Sequence, residues 1–280
     1  MPADPRQRGA VHAVRAAVVA SVAAAVVARV ADGSPFDKVP GWRRQNFRGR
    51  RVSLAGGSGA AVGSLVGVLL EPPGRRGPAL LAGGAAAVAG AYDDLLAGRA
   101  EVAGDKGFAG HLAAIRAGRV SGGVVKVAVI GGSALAAAGR LDRCGGVGDR
   151  VLRAVVIAGS ANLLNLLDLR PGRAGKVAVV AGLLGASGSA GGVAAASGGA
   201  AAAVLPDDLG ERTMLGDLGA NTLGALVGVR LASGSVRTRM AALAVIGAIT
   251  AASERVSLSR VIDNTPALHV LDQLGRAPTQ

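Results

Sequence analysis

Val151-Leu-Arg-Ala-Val-Val-Ile-Ala-Gly-Ser-Ala-Asn162-Leu-Leu-Asn165-Leu-Leu-Asp168 runs straight into Leu169-Arg170-Pro171-Gly172-Arg173-Ala174-Gly175-Lys176. The first stretch is close to the 20 or so mainly apolar residues that one membrane crossing needs. Its polar residues are not scattered. Asn162, Asn165 and Asp168 recur every third position, so on a helix they form one stripe with leucines on the other faces. Such a stripe faces a cavity, or else hydrogen-bonds a neighbouring helix. Pro171 and Gly172 then break the helix, and Arg170, Arg173 and Lys176 stand beside Asp168. Cations grouped at a helix end suit a phosphate-bearing ligand.

Composition places this segment in a membrane protein. The chain has 280 residues, 50% of them hydrophobic, with 45 Gly and only 2% aromatics. Mean hydropathy is +0.44. A soluble core of this size draws volume from Phe, Tyr and Trp, which are nearly absent. Apolar content excludes disorder, and glycines without a three-residue period exclude collagen. The single Cys144 excludes a disulfide framework and a Cys-based zinc site. Abundant Gly and Ala fit helices that pack closely in lipid. The net charge of +13 suits loops facing anionic headgroups and anionic substrates. Five aromatics in the whole chain are too few for a base-stacking surface, so nucleic acid is not the expected partner.

Further apolar segments lie at about 10–31, 53–70, 78–97, 121–139, 174–189, 190–205, 216–232 and 238–252, giving about nine spans. The first is too long for a signal peptide and lacks a cleavage site. The reading is an all-α polytopic membrane protein around a cytoplasm-facing cleft. Residues 1–252 form the transmembrane domain and 253–280 a cytoplasmic amphipathic tail. The basic 32–52 loop, with Arg43-Arg44 and Arg48-Gly49-Arg50-Arg51, argues for a cytoplasmic position and an outside N-terminus. Asp93-Asp94, Asn165/Asp168 and Asp207-Asp208/Asp217 then share the cytoplasmic side. In the tail, Leu268, Leu271 and Leu274 share one helical face, as expected of a short interfacial helix.

Three more constellations carry chemical potential. Asp93-Asp94 ends an apolar segment; two adjacent carboxylates there are either a solvated helix end or need a divalent cation. Gly216, Ala220, Gly224 and Gly228 form a small-residue packing face, with Asp217 at its N-terminal end as a cap or a ligand. Lys106-Gly107-Phe108-Ala109-Gly110-His111 opens a cationic run that continues to Arg116, Arg119 and Lys126. No Walker A motif, His-Glu-x-x-His or nucleophile elbow is present in the sequence.

In order, these pieces resemble the polyprenyl-phosphate N-acetylhexosamine-1-phosphate transferases, a family that includes the phospho-N-acetylmuramoyl-pentapeptide transferase of peptidoglycan synthesis. The resemblance covers about residues 40 to 230. It implies an enzyme of the bacterial plasma membrane with a cytoplasmic active site. That enzyme moves a sugar-1-phosphate from a UDP-sugar to polyprenyl phosphate and releases UMP, using Mg²⁺, for cell-envelope glycan synthesis. By resemblance, Asp93 and Asp94 are the catalytic acidic pair, and Asp217 with Asp94 hold the metal. Asn165, Asp168, Arg170, Arg173, Lys106 and His111 line the substrate site. The implied partners are the lipid phosphate, the UDP-sugar, the membrane and a second copy of the chain.

The chain departs from the family pattern in three places. The family continues its aspartate motif as Asp-Gly-x-x-Gly-Leu-Ala, where this chain has Asp168-Leu-Arg-Pro-Gly-Arg-Ala. The last-loop histidine cluster is reduced to His269, and a tenth helix is missing. A non-catalytic relative that binds polyprenyl phosphate or a nucleotide is the alternative. A proton-coupled transporter ranks third. A CDP-alcohol phosphotransferase ranks low because the acids are spread over separate helices.

Overall fold

The computed structural model describes residues 5–33, 35–96, 122–142 and 144–277. Among them the helices of the main body are α1 (Pro5–Ala31), α2 (Ala55–Val68), α3 (Pro73–Leu96), α4 (Gly122–Leu141) and α5 (Val147–Leu167), then α6 (Arg173–Gly185), α7 (Gly191–Leu209), α8 (Gly216–Ala232) and α9 (Val236–Ser253). Each falls on one of the expected apolar segments. Two short helices follow in the tail, α10 (Leu258–Asn264) and α11 (Pro266–Gln273). Among the described residues, four helices are long and apolar enough to cross a membrane: Gln7–Ala31, Gly123–Leu141, Val147–Leu167 and Val236–Ser253. This is the architecture of an all-α membrane protein.

Packing is inside-out relative to a soluble protein. In α1, Ala16, Ala20 and Ala24 are fully buried, while Val14, Val18 and Val22 on the other face are more than half exposed. Water would not tolerate that valine stripe, but lipid does. The driving force for helix contact in lipid is close packing, so small residues take the interface. Gly59, Gly63 and Gly67 of α2 meet the alanine stripe. A Cβ on these glycines would come within 2.5 to 2.7 Å of the carbonyl oxygens of Ala24, Ala20 and Ala16. The small-residue face read in α8 packs as expected. A Cβ on Gly224 would lie 2.5 Å from Ser160 O, and one on Gly228 would lie 2.7 Å from the Ile157 Cα.

The basic 32–52 segment, read as a loop, carries the one strand pairing among the described residues. Residues 43–53 form an antiparallel hairpin of β1 (Arg43–Gln45) and β2 (Arg51–Ser53). Its turn is built by Asn46, whose side-chain carbonyl accepts the N–H groups of Arg48 and Arg50, and by Gly49 at φ +73°. The Trp42 indole donates to Ala31 O at 3.1 Å and pins the hairpin to the end of α1.

Contacts divide the helix ends into two sets. At one end, the last turns of α3, α5 and α7 meet the first turns of α4, α6 and α8. At the other end, Arg153 and Arg239 both bind Asp149, and Arg153 also donates to Ala232 O. There Glu71, 4% exposed, pairs with His12 at 3.1 Å. Acids therefore occur at both ends. Those at this second end are paired singly with basic side chains, whereas at the first end Asp93 and Asp217 share one cation, Lys126.

Candidate functional site

The first end is assembled by close backbone approach. A Cβ on Gly57 of α2 would lie 1.9 Å from Leu215 O, and one on Gly90 of α3 would lie 2.3 Å from Asp217 O. The start of α8 is thus gripped between two glycines. Gly216 enters it at φ +59°, a backbone conformation that glycine adopts without strain.

This grip sets the acidic pair against α8. Asp94 is 2% exposed. Its Oδ1 accepts the Asp217 N–H at 3.2 Å and its Oδ2 accepts the Leu218 N–H at 2.8 Å. Asp94 therefore caps the first turn of α8 from another helix, where the dipole favours an anion. Arg44 of the hairpin donates to the carbonyl oxygens of Asp93 and Asp94. Of the two roles open to Asp217, cap or ligand, the capping is done by Asp94, and the Asp217 carboxylate is turned to Lys126.

Lys126, near the start of α4, bridges the remaining two acids. Its Nζ lies 3.1 Å from Asp93 Oδ2 and also hydrogen-bonds Asp217 Oδ2. The three side chains are between 16% and 31% exposed, so the bridge is partly open to the surface.

Asp168 ends α5 beside this group. Burial and the neighbouring carboxylates of Asp208, Asp217 and Asp94 push it well above the usual carboxylate range, and the Gly216 N–H pulls the other way. Of the polar stripe, Asn162 is exposed, while Asn165 and Asp168 are half-buried. Asp168 lines a polar cavity of about 200 Å³ between the hairpin, the 168–171 turn and the 208–214 turn. Phe47 and Arg170 share this cavity, with the guanidinium 4.2 Å from the ring centroid.

Glu211 holds the cavity wall. It is 6% exposed and sits at φ +54°, which is strained for a side chain other than Gly, Asn or Asp. Its carboxylate accepts from Asn46 Nδ2 and Arg48 Nη1, each at 2.6 Å. Glu211→Gln removes the charge from these bonds. The expected cost is about 1–3 kcal/mol, the range for hydrogen bonds to a charged group. A thermal midpoint in detergent that does not move would show that the hairpin is held by something else.

Arg173 and Lys176 are not directed at the cavity. Arg173 forms a two-pronged pair with Asp272 of the tail at 2.8 and 3.1 Å, and both residues are buried. Arg276 also binds Asp272, and it donates to Pro171 O. Lys176 donates to the carbonyl oxygens of Leu271 and Asp272. Burial alone would raise Asp272, but Arg173 and Arg276 hold it below the usual carboxylate range. A depressed folded value means stability that is complete above about pH 4 and is lost as pH falls through that lower value. Amide exchange over 266–277 is expected to stay slow from pH 7 to pH 5. Opening already within that interval would show that the ion pair is not what docks the tail.

Lys106 and His111 lie outside the described residues. Lys126 belongs to the cationic run read from the sequence, whereas Phe47, Glu211 and Asp272 carry no sequence signal of their own as site residues. One signal was available: Phe36, Trp42 and Phe47, most of the few aromatics, all fall within the basic 32–52 segment.

Among the described residues, no group of three His, Cys, Asp or Glu side chains is set to hold a metal. The donor chemistry still fits Mg²⁺, which binds through one or two carboxylates plus substrate phosphates. A cationic group, the Lys126 ammonium, already lies between Asp93 and Asp217. Asp93 with Asp217 is thus the better-placed carboxylate pair, since both Asp94 oxygens accept backbone N–H groups. The fold and site together define a helical membrane protein with a carboxylate–lysine bridge and a nearby cavity of about 200 Å³. No protein-family model matches the chain, and no curated protein matches it significantly.

Proposed function

We propose that the protein is an Mg²⁺-dependent transferase that moves a sugar-1-phosphate from a UDP-sugar to a polyprenyl phosphate for cell-envelope glycan synthesis. In this reading the helical body lies in the bacterial plasma membrane and the Asp93–Lys126–Asp217 bridge faces the cytoplasm. The observation that supports the reading is the meeting of the Asp93 and Asp217 carboxylates beside the cavity that holds Asp168, Phe47 and Arg170.

The chemistry follows from that arrangement. Both substrates are anions, so charge must be neutralised and the reacting atoms aligned. Mg²⁺ held by Asp93 and Asp217 would supply positive charge to the pyrophosphate. Lys126 swings from the carboxylates to the phosphate oxygens as the donor arrives. Arg170 and Phe47 hold the flat nucleoside end. Asp93 accepts the proton of the lipid phosphate as its oxygen attacks the sugar-linked phosphorus. One P–O bond forms to the lipid, the P–O bond to UMP breaks, and UMP leaves with the electron pair.

UMP release from a panel of UDP-sugars, with undecaprenyl phosphate and Mg²⁺, tests the proposal. Release with one donor, lost in Asp93→Asn, supports it. A folded protein that binds the lipid phosphate but releases no UMP supports a second reading, a non-catalytic binding relative. The Lys126 bridge favours that alternative, since it already neutralises both acids.

A further inference from the structure

A larger cavity, of about 920 Å³, opens at the end of the helices opposite the carboxylate–lysine bridge. Its walls are residues 10–17 of α1 and 179–183 of α6, and its floor is Ala195, Gly198, Gly199 and Ala202 of α7. Each wall meets the floor at backbone distance. A Cβ on Gly198 would lie 2.8 Å from the Gly182 Cα of α6, and one on Gly199 would lie 2.9 Å from the Ala17 Cα of α1. A small-residue face of this kind is normally covered by another helix, as α2 covers the alanines of α1. This one lies open among the described residues, and its volume is that of a ligand pocket.

The mouth of the slot, at Gly9, Ser187 and Gly188, is cationic. Ser187 carries the one polar side chain in the lining. Arg230 of α8 donates to Gly185 O and Ser187 O, each at 2.8 Å. That uses two of its five N–H groups, and it has no carboxylate partner among the described residues. Arg8 is exposed beside Gly9. Residues 7–31 and 177–206, which supply the walls and the floor, contain no acid. Glu71, the acid at the neighbouring end of α2, is 4% exposed and pairs with His12. It abuts Gly192 in the first turn of α7, where the helix dipole also answers its charge. The guanidinium of Arg230 is therefore uncompensated.

We propose that this slot is a site for one anionic phospholipid, with acyl chains between α1 and α6 and the phosphate on Arg230. The chains take the place of the helix that the small-residue floor lacks. The uncompensated guanidinium favours a headgroup of net negative charge over a zwitterionic one. The mouth and the Asp93–Lys126–Asp217 bridge lie at opposite ends of the helices, so this lipid sits in the other leaflet from the acceptor of the proposed reaction. The inference rests on the membrane character of the fold and holds for whichever reaction the bridge performs.

Native mass spectrometry of the delipidated full chain reads bound lipid and oligomeric state together. The probes are phosphatidylglycerol, phosphatidylcholine with the same chains, and undecaprenyl phosphate. One phosphatidylglycerol per chain is expected to be held about tenfold more tightly than phosphatidylcholine, the scale of one hydrogen bond to a charged group. Arg230→Gln should bring the two lipids level. Arg230→Lys keeps the charge and should keep the preference, which separates charge from the clamping of the 185–187 turn. Ala10→Leu with Ala202→Leu, at two exposed positions of the slot, should remove binding of both lipids without lowering the thermal midpoint in detergent. Equal binding of the two lipids by the unaltered chain would overturn the assignment of the phosphate to Arg230. Unchanged binding in the double-Leu protein would overturn the slot. Tighter binding of undecaprenyl phosphate than of phosphatidylglycerol, or a dimer that dissociates only in the double-Leu protein, would overturn the choice of occupant. None of these readouts needs UMP release, so the transferase proposal can fail separately.

Discussion

Asp217→Asn is expected to lower UMP release by about 100- to 1000-fold while leaving the protein folded, the scale of losing one preorganised charge at a transition state. The asymmetry comes from the division of labour between two neighbouring carboxylates. Asp217 carries none of the capping of α8, because Asp94 accepts the N–H groups of Asp217 and Leu218. Lys126 keeps Asp93 as a partner when Asp217 is neutralised. Asp93 and Lys126 are partly exposed, so water reaches what remains. Stability should therefore change by no more than about 1 kcal/mol, as for a partly exposed ion pair. Asp94→Asn should behave in the opposite way. An amide can accept from one backbone N–H but presents its own N–H₂ to the other, so the midpoint should drop. Wild-type turnover by Asp217→Asn would remove that residue from the site. Equal loss of fold in both variants would refute the assignment of the cap to Asp94.

Gly90→Val is expected to abolish most activity from a position that carries no functional group. Its Cβ would lie 2.3 Å from Asp217 O and 2.6 Å from Leu218 N. These are backbone atoms, so no rotamer relieves the clash, and α3 must move away from α8. Overpacking of this kind costs about 3 kcal/mol, or about 6–12 °C in midpoint for a chain of this size. The displacement would also pull Asp93 and Asp94 from α8, and a misplacement of about 1 Å can cost about 100-fold in rate. Gly84→Ala is the control on the same helix. No atom lies within 4 Å of its would-be Cβ, so it should fold and function normally. A Gly90→Val protein with unchanged midpoint and turnover would show that the two helices do not approach this closely.

The positions of the helices were legible in the chain because helix formation in lipid is a local matter. Apolar length sets a span, and Gly, Pro and charge mark its ends. The apolar stretches from 10 to 252 became helices α1 to α9 with small boundary shifts, even where 174–189 and 190–205 have no charge between them. There Gly188 at φ +79° and Ala190 at φ +60° make the break. The polar residues that gather at one end, Asp93, Asp94, Asp168 and Asp217, were legible for the same reason: each sits at a helix terminus. Only the tertiary structure decided which terminus faces which. Adjacent in sequence, Asp93 and Asp94 look alike, yet successive helical positions differ by about 100°. One therefore meets the amides of α8 and the other meets Lys126. Arg173 and Arg170 are equally cationic, yet one is held by Asp272, 99 positions away, and the other faces Phe47. Such pairings depend on how near two backbones come, and that distance is set by glycines such as Gly57 and Gly90, whose contribution is a missing atom that no local pattern reveals.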